Sequence, residues 1–325
     1  MDVTLSPDDF KELSKDIREV MQKLNWYETH GIEWVKAGLK FLLFFGGWLI
    51  FALPHLAFQI LGITIMSYAF TSIGISGIHE ASHQSMAKSR RWNLFAAYFF
   101  TEFWVSKSHD WWRWRHVETH HPHTNVINKE PMLFYVPWFH KYVYFFLMPY
   151  VVVPWIIASS IWHLRKNPIE LLIYLSISTL GYLSQASLFL ILGYSWGISL
   201  LLVFVMRSIF APLFLHIAVF NHIGLPYFDA EPRPEWMTLQ SKTTRNIKPN
   251  WFLKILGGNA FLDGHIEHHL FPHLSNHAIS KVREKIVTFL KKRGYEYREE
   301  GYVSCLRQCL KHYHLIFDEL RHPLW

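Results

Sequence analysis

The sequence predicts an all-α, polytopic membrane protein: four transmembrane helices in two hairpins, with interfacial helices and a cytosolic helical cap. Three observations predict this class. Of 325 residues, 51% are apolar and only 18% charged, against about 25% charged in soluble domains. The mean hydropathy is +0.09. The apolar residues also gather in long stretches free of Asp, Glu, Lys and Arg. Disorder, collagen and coiled coil are excluded by the same numbers. The 21 His and 2 Cys speak against a disulfide scaffold and for metal. Cys305 and Cys309 fit a reducing cytosolic face.

Met1–Tyr27 alternates acidic and basic residues and reads as an amphipathic soluble helix starting after Ser6-Pro7, not as a signal peptide. Phe41–Gly77 carries no charge over 37 residues, too long for one crossing of a ~30 Å core and right for two. With Pro54 near its middle it predicts a hairpin, Glu33–Leu53 and His55–Gly77, with Lys36 and Lys40 snorkelling at one end. Leu171–Met206 is also charge-free. Gly193–Gly197 interrupts it, predicting a second hairpin, Leu171–Leu192 and Ile198–Phe220. Tyr142–His163 is a third charge-free stretch. Its Pro149 and Pro154 predict an interfacial segment, as do the aromatics of Trp92–Val105. The domain reading is a cytosolic N-terminal helix (1–32), a membrane domain (33–291) and a cytosolic tail (292–325). The core consumes the length, so no cytochrome b5 domain is expected.

Topology follows from Lys and Arg. The two hairpin turns carry neither. Lys88, Arg90, Arg91, Arg113, Arg115, Arg165, Lys166, Lys242 and Arg245 all lie in other connections and share one, cytoplasmic, side if there are four spans. The net charge of +7 then reads as attraction to an anionic leaflet, and nucleic acid is the weaker reading. Arg207, inside a span, must face a partner, water or the interior. Head-group anchor and structural bond to a carbonyl are equal readings.

The histidines form three clusters: His79-Glu-Ala-Ser-His83, His116-Val-Glu-Thr-His120-His121 and His265-Ile-Glu-His268-His269. Spacings of three and four residues place imidazoles on one helix face. Each cluster follows a predicted span, and four spans put all three on one membrane side. A lone His is usually structural. Eight at ligand spacing are not. His222, near the end of the fourth span, is the ninth, with His216 its competitor. His79-Glu80-x-x-His83 formally matches the zinc-protease signature, a reading that leaves two clusters idle. Eight or nine imidazoles exceed one tetrahedral zinc and suit two metals of about four to five ligands each. A metal transporter would want such residues inside the spans.

These clusters resemble the three histidine boxes of the membrane fatty-acid desaturase superfamily. His120-His121-Pro-His-Thr-Asn125 with Glu130-Pro131, and Gly264–Pro272, are similar to further family stretches, the latter especially in front-end desaturases. The likeness runs from about Phe41 to Lys291. The second box has three residues before its His pair where many members have two, and the third begins with His265 where front-end enzymes usually have Gln. The resemblance implies a di-iron centre on the cytosolic side, ligated by His79, His83, His116, His120, His121, His222, His265, His268 and His269. It implies O2 as co-substrate and a C=C bond placed in an acyl chain carried on CoA, carrier protein or lipid. A hydroxylase, terminal desaturase or acetylenase is the related alternative. Ligating His normally donates its other N–H to an acceptor, and Glu80, Glu118, Asn125, Asp263 and Glu267 are the candidates. Asn221 is the candidate to hold a metal-bound water. His123, His273 and His277 are assigned outside the metal shell. Electrons arrive from a ferredoxin or cytochrome b5, for which Arg90, Arg91, Arg113 and Arg115 offer a basic face. Trp and Phe either line an acyl tunnel or face lipid and core.

Overall fold

Among the described residues, five helices are long and apolar enough to cross a membrane: Tyr27–Phe51, Leu56–Ser82, Val143–Leu164, Pro168–Leu190 and Trp196–Phe220. The computed structural model describes residues 6–127, 129–130, 140–295 and 297–319. The helix Leu56–Ser82 runs a full turn beyond the expected end at Gly77, so His79 rides on the apolar helix itself. Val143–Leu164 starts irregularly, as a π turn (Val143–Leu147) and a 3-10 turn (Met148–Val151), and is α-helical only from Val152. Trp196–Phe220 breaks between Ser208 and Ala211, where Pro212 lacks the N–H that would continue the ladder.

The chain divides into two units that interleave in sequence. One comprises Trp34–Trp114 and Phe145–Leu215 and contains most of the apolar helical length. Its first two helices cross at Gly47 and Gly62. A Cβ on Gly62 would stand 2.4 Å from the Phe51 nitrogen and 2.6 Å from the Gly47 oxygen, so only glycine permits the approach. Gly181 does the same where Pro168–Leu190 passes the π turn Tyr98–Trp104: its Cβ would meet the Phe103 oxygen at 1.7 Å. Lys40 does not snorkel. Its Nζ donates to Ser76 Oγ (2.7 Å) and the Ser72 carbonyl (3.2 Å) on the neighbouring helix. Trp104 sits among Phe41, Phe44 and Phe70, with ring centroids 4.8–5.5 Å away. Trp92, Trp155 and Trp162 face outward, so the aromatic surplus divides between core and lipid-facing surface. Arg207 is buried and structural: it donates to Gln185 Oε1 (3.0 Å), Ser106 Oγ (3.0 Å) and the Trp104 carbonyl (3.4 Å).

The other unit comprises Met1–Glu33, Arg115–Tyr144 and His216–Trp325. Its first helix, Pro7–Met21, begins where the sequence predicts. Ser6 and Asp9 form a reciprocal capping box and Pro7 occupies the first turn. This helix buries Leu13 and Ile17 in a core with Ile279, Val282 and Ile286 of Asn276–Lys292. Arg293 ties it to Asp9 and Glu12. Asn246–Lys248 pairs in parallel with Glu299–Gly301.

Candidate metal centre

In the unit that carries the second and third clusters, seven histidines converge. His116 and His120 lie on a π turn, Trp114–His120, which stacks their rings at 16°. The helix His265–Leu270 carries His265, His268 and His269. Its start is fixed by Asn246, whose Oδ1 accepts from the Ile266 N–H (2.9 Å). His222 follows Phe220 in a turn. Ring centroids lie 4.4 Å apart for His121 and His269, 4.7 Å for His120 and His222, and 4.8 Å for His116 and His121. All seven are buried. His120, His222 and His269 each offer a ring nitrogen within 4.8 Å of the other two. In the other unit, His79 and His83 stand together, centroids 4.9 Å apart.

The hydrogen bonds fix which nitrogen faces inward. The Nδ1–H of His222 donates to the Thr243 carbonyl (3.0 Å) and that of His265 to the Ala260 carbonyl (2.6 Å). The Nδ1–H of His269 donates to Gln240 Oε1 (2.8 Å). His120 Nδ1 bonds Glu130 Oε1. A carbonyl or amide oxygen cannot donate, so at His222, His265 and His269 the proton sits on Nδ1 and the Nε2 lone pair is bare. Burial pushes His265 down to about 3, and pushes His222 and His269 well below the ordinary histidine value. These rings are therefore neutral at pH 7, the form that ligates metal. The Nε2 atoms of His222 and His265 face each other at 2.9 Å. Two bare lone pairs repel at that distance unless they share a cation. His269 Nε2 is buried with no hydrogen-bond partner among the described residues. The donor set fits a transition metal that favours imidazole.

The predicted supporting residues fall in different places. Glu80 lies beside His79 (Nδ1 to Oε1, 4.0 Å) and accepts from Ser85 Oγ (2.8 Å). Glu118 is exposed. Asn125, in the left-handed region at φ 53°, donates through Nδ2 to the His222 carbonyl (3.1 Å), and its N–H goes to Glu130 Oε2 (2.6 Å). Asn221 donates to the Phe261 carbonyl (3.0 Å), and its Oδ1 is buried with no hydrogen-bond partner among the described residues. Asp263 pairs with Lys254 and Arg283. Glu267 accepts from Asn246 and Tyr297 beside Arg283, and burial raises it to about 7. His216 bonds Tyr302 (2.6 Å) and stacks on Phe220. His123 bonds the Thr119 carbonyl (3.1 Å). Pro131 of the second-box stretch lies outside the described residues. The acceptors that sequence reasoning did not assign are Glu130, Gln240, Thr243 and Ala260. Glu130 stood inside a recognised stretch; the other three carry no local motif.

Residues 54–301 match the model of the family described as Fatty acid desaturase. The chain belongs to the fatty acid desaturase family. It is 31% identical over 307 residues to Fatty acid desaturase 6 of Mus musculus, covering 93% of this chain and 90% of that protein. It is 29% identical to Fatty acid desaturase 6 of Homo sapiens, covering 93% and 86%. The Delta(5) fatty acid desaturase fat-4 of Caenorhabditis elegans is 25% identical over 289 residues, covering 78% and 63%. With its apolar helices, this member of the desaturase family is an integral membrane protein, and its family's enzymes are oxidoreductases.

Proposed function

We propose that this desaturase is O2-dependent and di-iron, with His79, His83, His116, His120, His121, His222, His265, His268 and His269 as ligands. The observation that carries the reading is the convergence of His120, His222 and His269 within 4.8 Å, with bare Nε2 atoms on His222 and His269, in a chain of this family. His79 and His83 join the set on their spacing and on the family motif. Iron, when bound, supplies O2 activation and removal of two hydrogens from adjacent carbons of an acyl chain, leaving a C=C bond and water.

The chain's own residues do the rest. Thr243, Ala260 and Gln240 hold their imidazoles in one tautomer. Glu130 bonds His120 Nδ1 and orients that ring. Burial excludes water and keeps His222, His265 and His269 neutral.

Four spans support the same reading. His121 Nε2 and His268 Nε2 lie 3.1 Å apart, and three apolar helices separate them in sequence. Residues on one membrane side need an even number of crossings between them. Val143–Leu164 is the irregular member, with two prolines, and is assigned to the interface. The Lys and Arg of the connections favour the cytosolic side for the site. The exposed Arg90, Arg91 and Arg113 suit an acidic ferredoxin or cytochrome b5, whereas Arg115 is part-buried and is dropped from that face. The acyl carrier is CoA, a carrier protein or lipid. The test is the acyl profile of a host expressing the chain against a His268→Ala control. A new double bond absent from the control is expected. Identical profiles from folded, iron-loaded protein given O2 and an electron donor would overturn the reading.

A further inference from the structure

Gln240 lies in none of the histidine clusters, on the helix Trp236–Thr243, and is fully buried. Its Nε2 donates to the His121 carbonyl (2.6 Å) and its Oε1 accepts from the Nδ1–H of His269 (2.8 Å). The two bonds fix each other. The His121 carbonyl only accepts, so the amide nitrogen must face it. The amide oxygen is then forced toward His269, and of the two neutral forms of that ring only the one protonated at Nδ1 donates to it. The same oxygen lies 3.3 Å from Thr124 Oγ1, which bonds the His120 carbonyl (2.8 Å). One side chain therefore ties the backbone of the second histidine cluster to an imidazole of the third. Three residues on, the Thr243 carbonyl takes the Nδ1–H of His222 (3.0 Å), so the same helix orients two of the three converging rings.

We propose that Gln240 is a positioning residue for the metal centre: it sets the tautomer of His269, aims its Nε2 inward and fixes the spacing between the second and third clusters. The chemical requirement is an uncharged side chain with both an acceptor and a donor. Glutamate supplies the acceptor alone, leucine neither. That the rings ligate iron rests on the functional reading above. The tautomer does not.

Two measurements test this on the full-length protein. The first reads the tautomer of His269 in metal-free protein from its ring nitrogen chemical shifts, the signal being identified by its loss in His269→Asn. The second titrates Co(II) as the metal probe. Expected are the Nδ1–H form in the parent, a tautomer mixture in Gln240→Leu and retention in Gln240→Glu. Co(II) affinity falls about ten- to a hundredfold in Gln240→Leu, and stays at the parent value in Ser241→Ala, the neighbouring buried control. Should Gln240→Leu not accumulate, Gln240→Met is read the same way. An Nε2–H His269 in the parent, or a Leu variant matching the parent in tautomer and Co(II) affinity, overturns the proposal. A parent with the Gln240-dependent Nδ1–H form that binds no Co(II) upholds it and removes the di-iron reading instead.

Discussion

The apolar unit and the histidine unit both bury cations, and they satisfy them differently. In the apolar unit, Arg207 is held by an amide, a hydroxyl and a carbonyl. Lys107 lies 3.7 Å over the Trp112 ring, without an ion pair among the described residues. In the histidine unit, buried Arg245 meets Glu300 (3.0 Å), and the half-buried Arg283 meets Asp263, Glu267 and Glu299. The contrast follows from what each unit must do. Apolar helices need pegs that fix their crossings, and neutral acceptors suffice. The histidine unit must hold turns and one short helix in register, which charged networks do with more directional bonds. Arg245 joins neutral acceptors to its ion pair. It donates to the carbonyls of Phe220 (2.6 Å) and Ile223, gripping both sides of the turn that carries His222.

Four substitutions test the contrast between the two units. His268→Ala has the largest effect. Double-bond formation falls below detection in the host's acyl chains, while detergent-solubilised protein keeps its melting temperature to within a few degrees. Arg245→Met comes next. It leaves the Phe220 and Ile223 carbonyls in the interior without their donor and costs about 1–3 kcal/mol for each, read as a lowered thermal midpoint together with lost metal binding. Gly181→Ala probes the other unit. A methyl against the Phe103 oxygen forces two elements apart and costs about 1–3 kcal/mol, with metal affinity of the histidine unit unchanged.

Lys107→Met has the smallest effect and the opposite sign. Burial pushes Lys107 down to about 7 from 10.5. Between those values the unfolded chain binds the proton and the folded chain does not, so the lysine destabilises most at pH 7 and below. The penalty fades as pH rises toward 10.5. Allowing for the Trp112 contact, methionine stabilises by about 2 kcal/mol at pH 7. The gain shrinks in melts at pH 9 and above; a constant gain would assign the effect to packing instead.

Much of this was legible in the sequence, and particular residues show where legibility stopped. Ser6-Pro7 fixed the first helix because a cap is a local signal. Phe41–Gly77 announced a hairpin because charge cannot enter lipid cheaply. The histidine spacings identified which imidazoles share a face, and seven of them meet in one unit. Thr238–Asn246 misleads by contrast. Its Lys242 and Arg245 read only as charges of a connection, yet Gln240, Thr243, Arg245 and Asn246 are fully buried. They are there because buried imidazoles, carbonyls and carboxylates need partners, and those partners come from residues distant in sequence. Glu267 and Asp263 sit beside histidines in the chain and bond Arg283 across the fold, since side chains at adjacent helical positions point apart.

The converging imidazoles are proposed to hold two irons. Metal quantification by mass spectrometry on protein purified from iron-replete cells, paired with Mössbauer spectroscopy, decides this. About two irons per chain, coupled and bound to nitrogen, are predicted, falling sharply in His268→Ala. A single zinc per chain, unchanged in His268→Ala and in His269→Ala, would contradict the account.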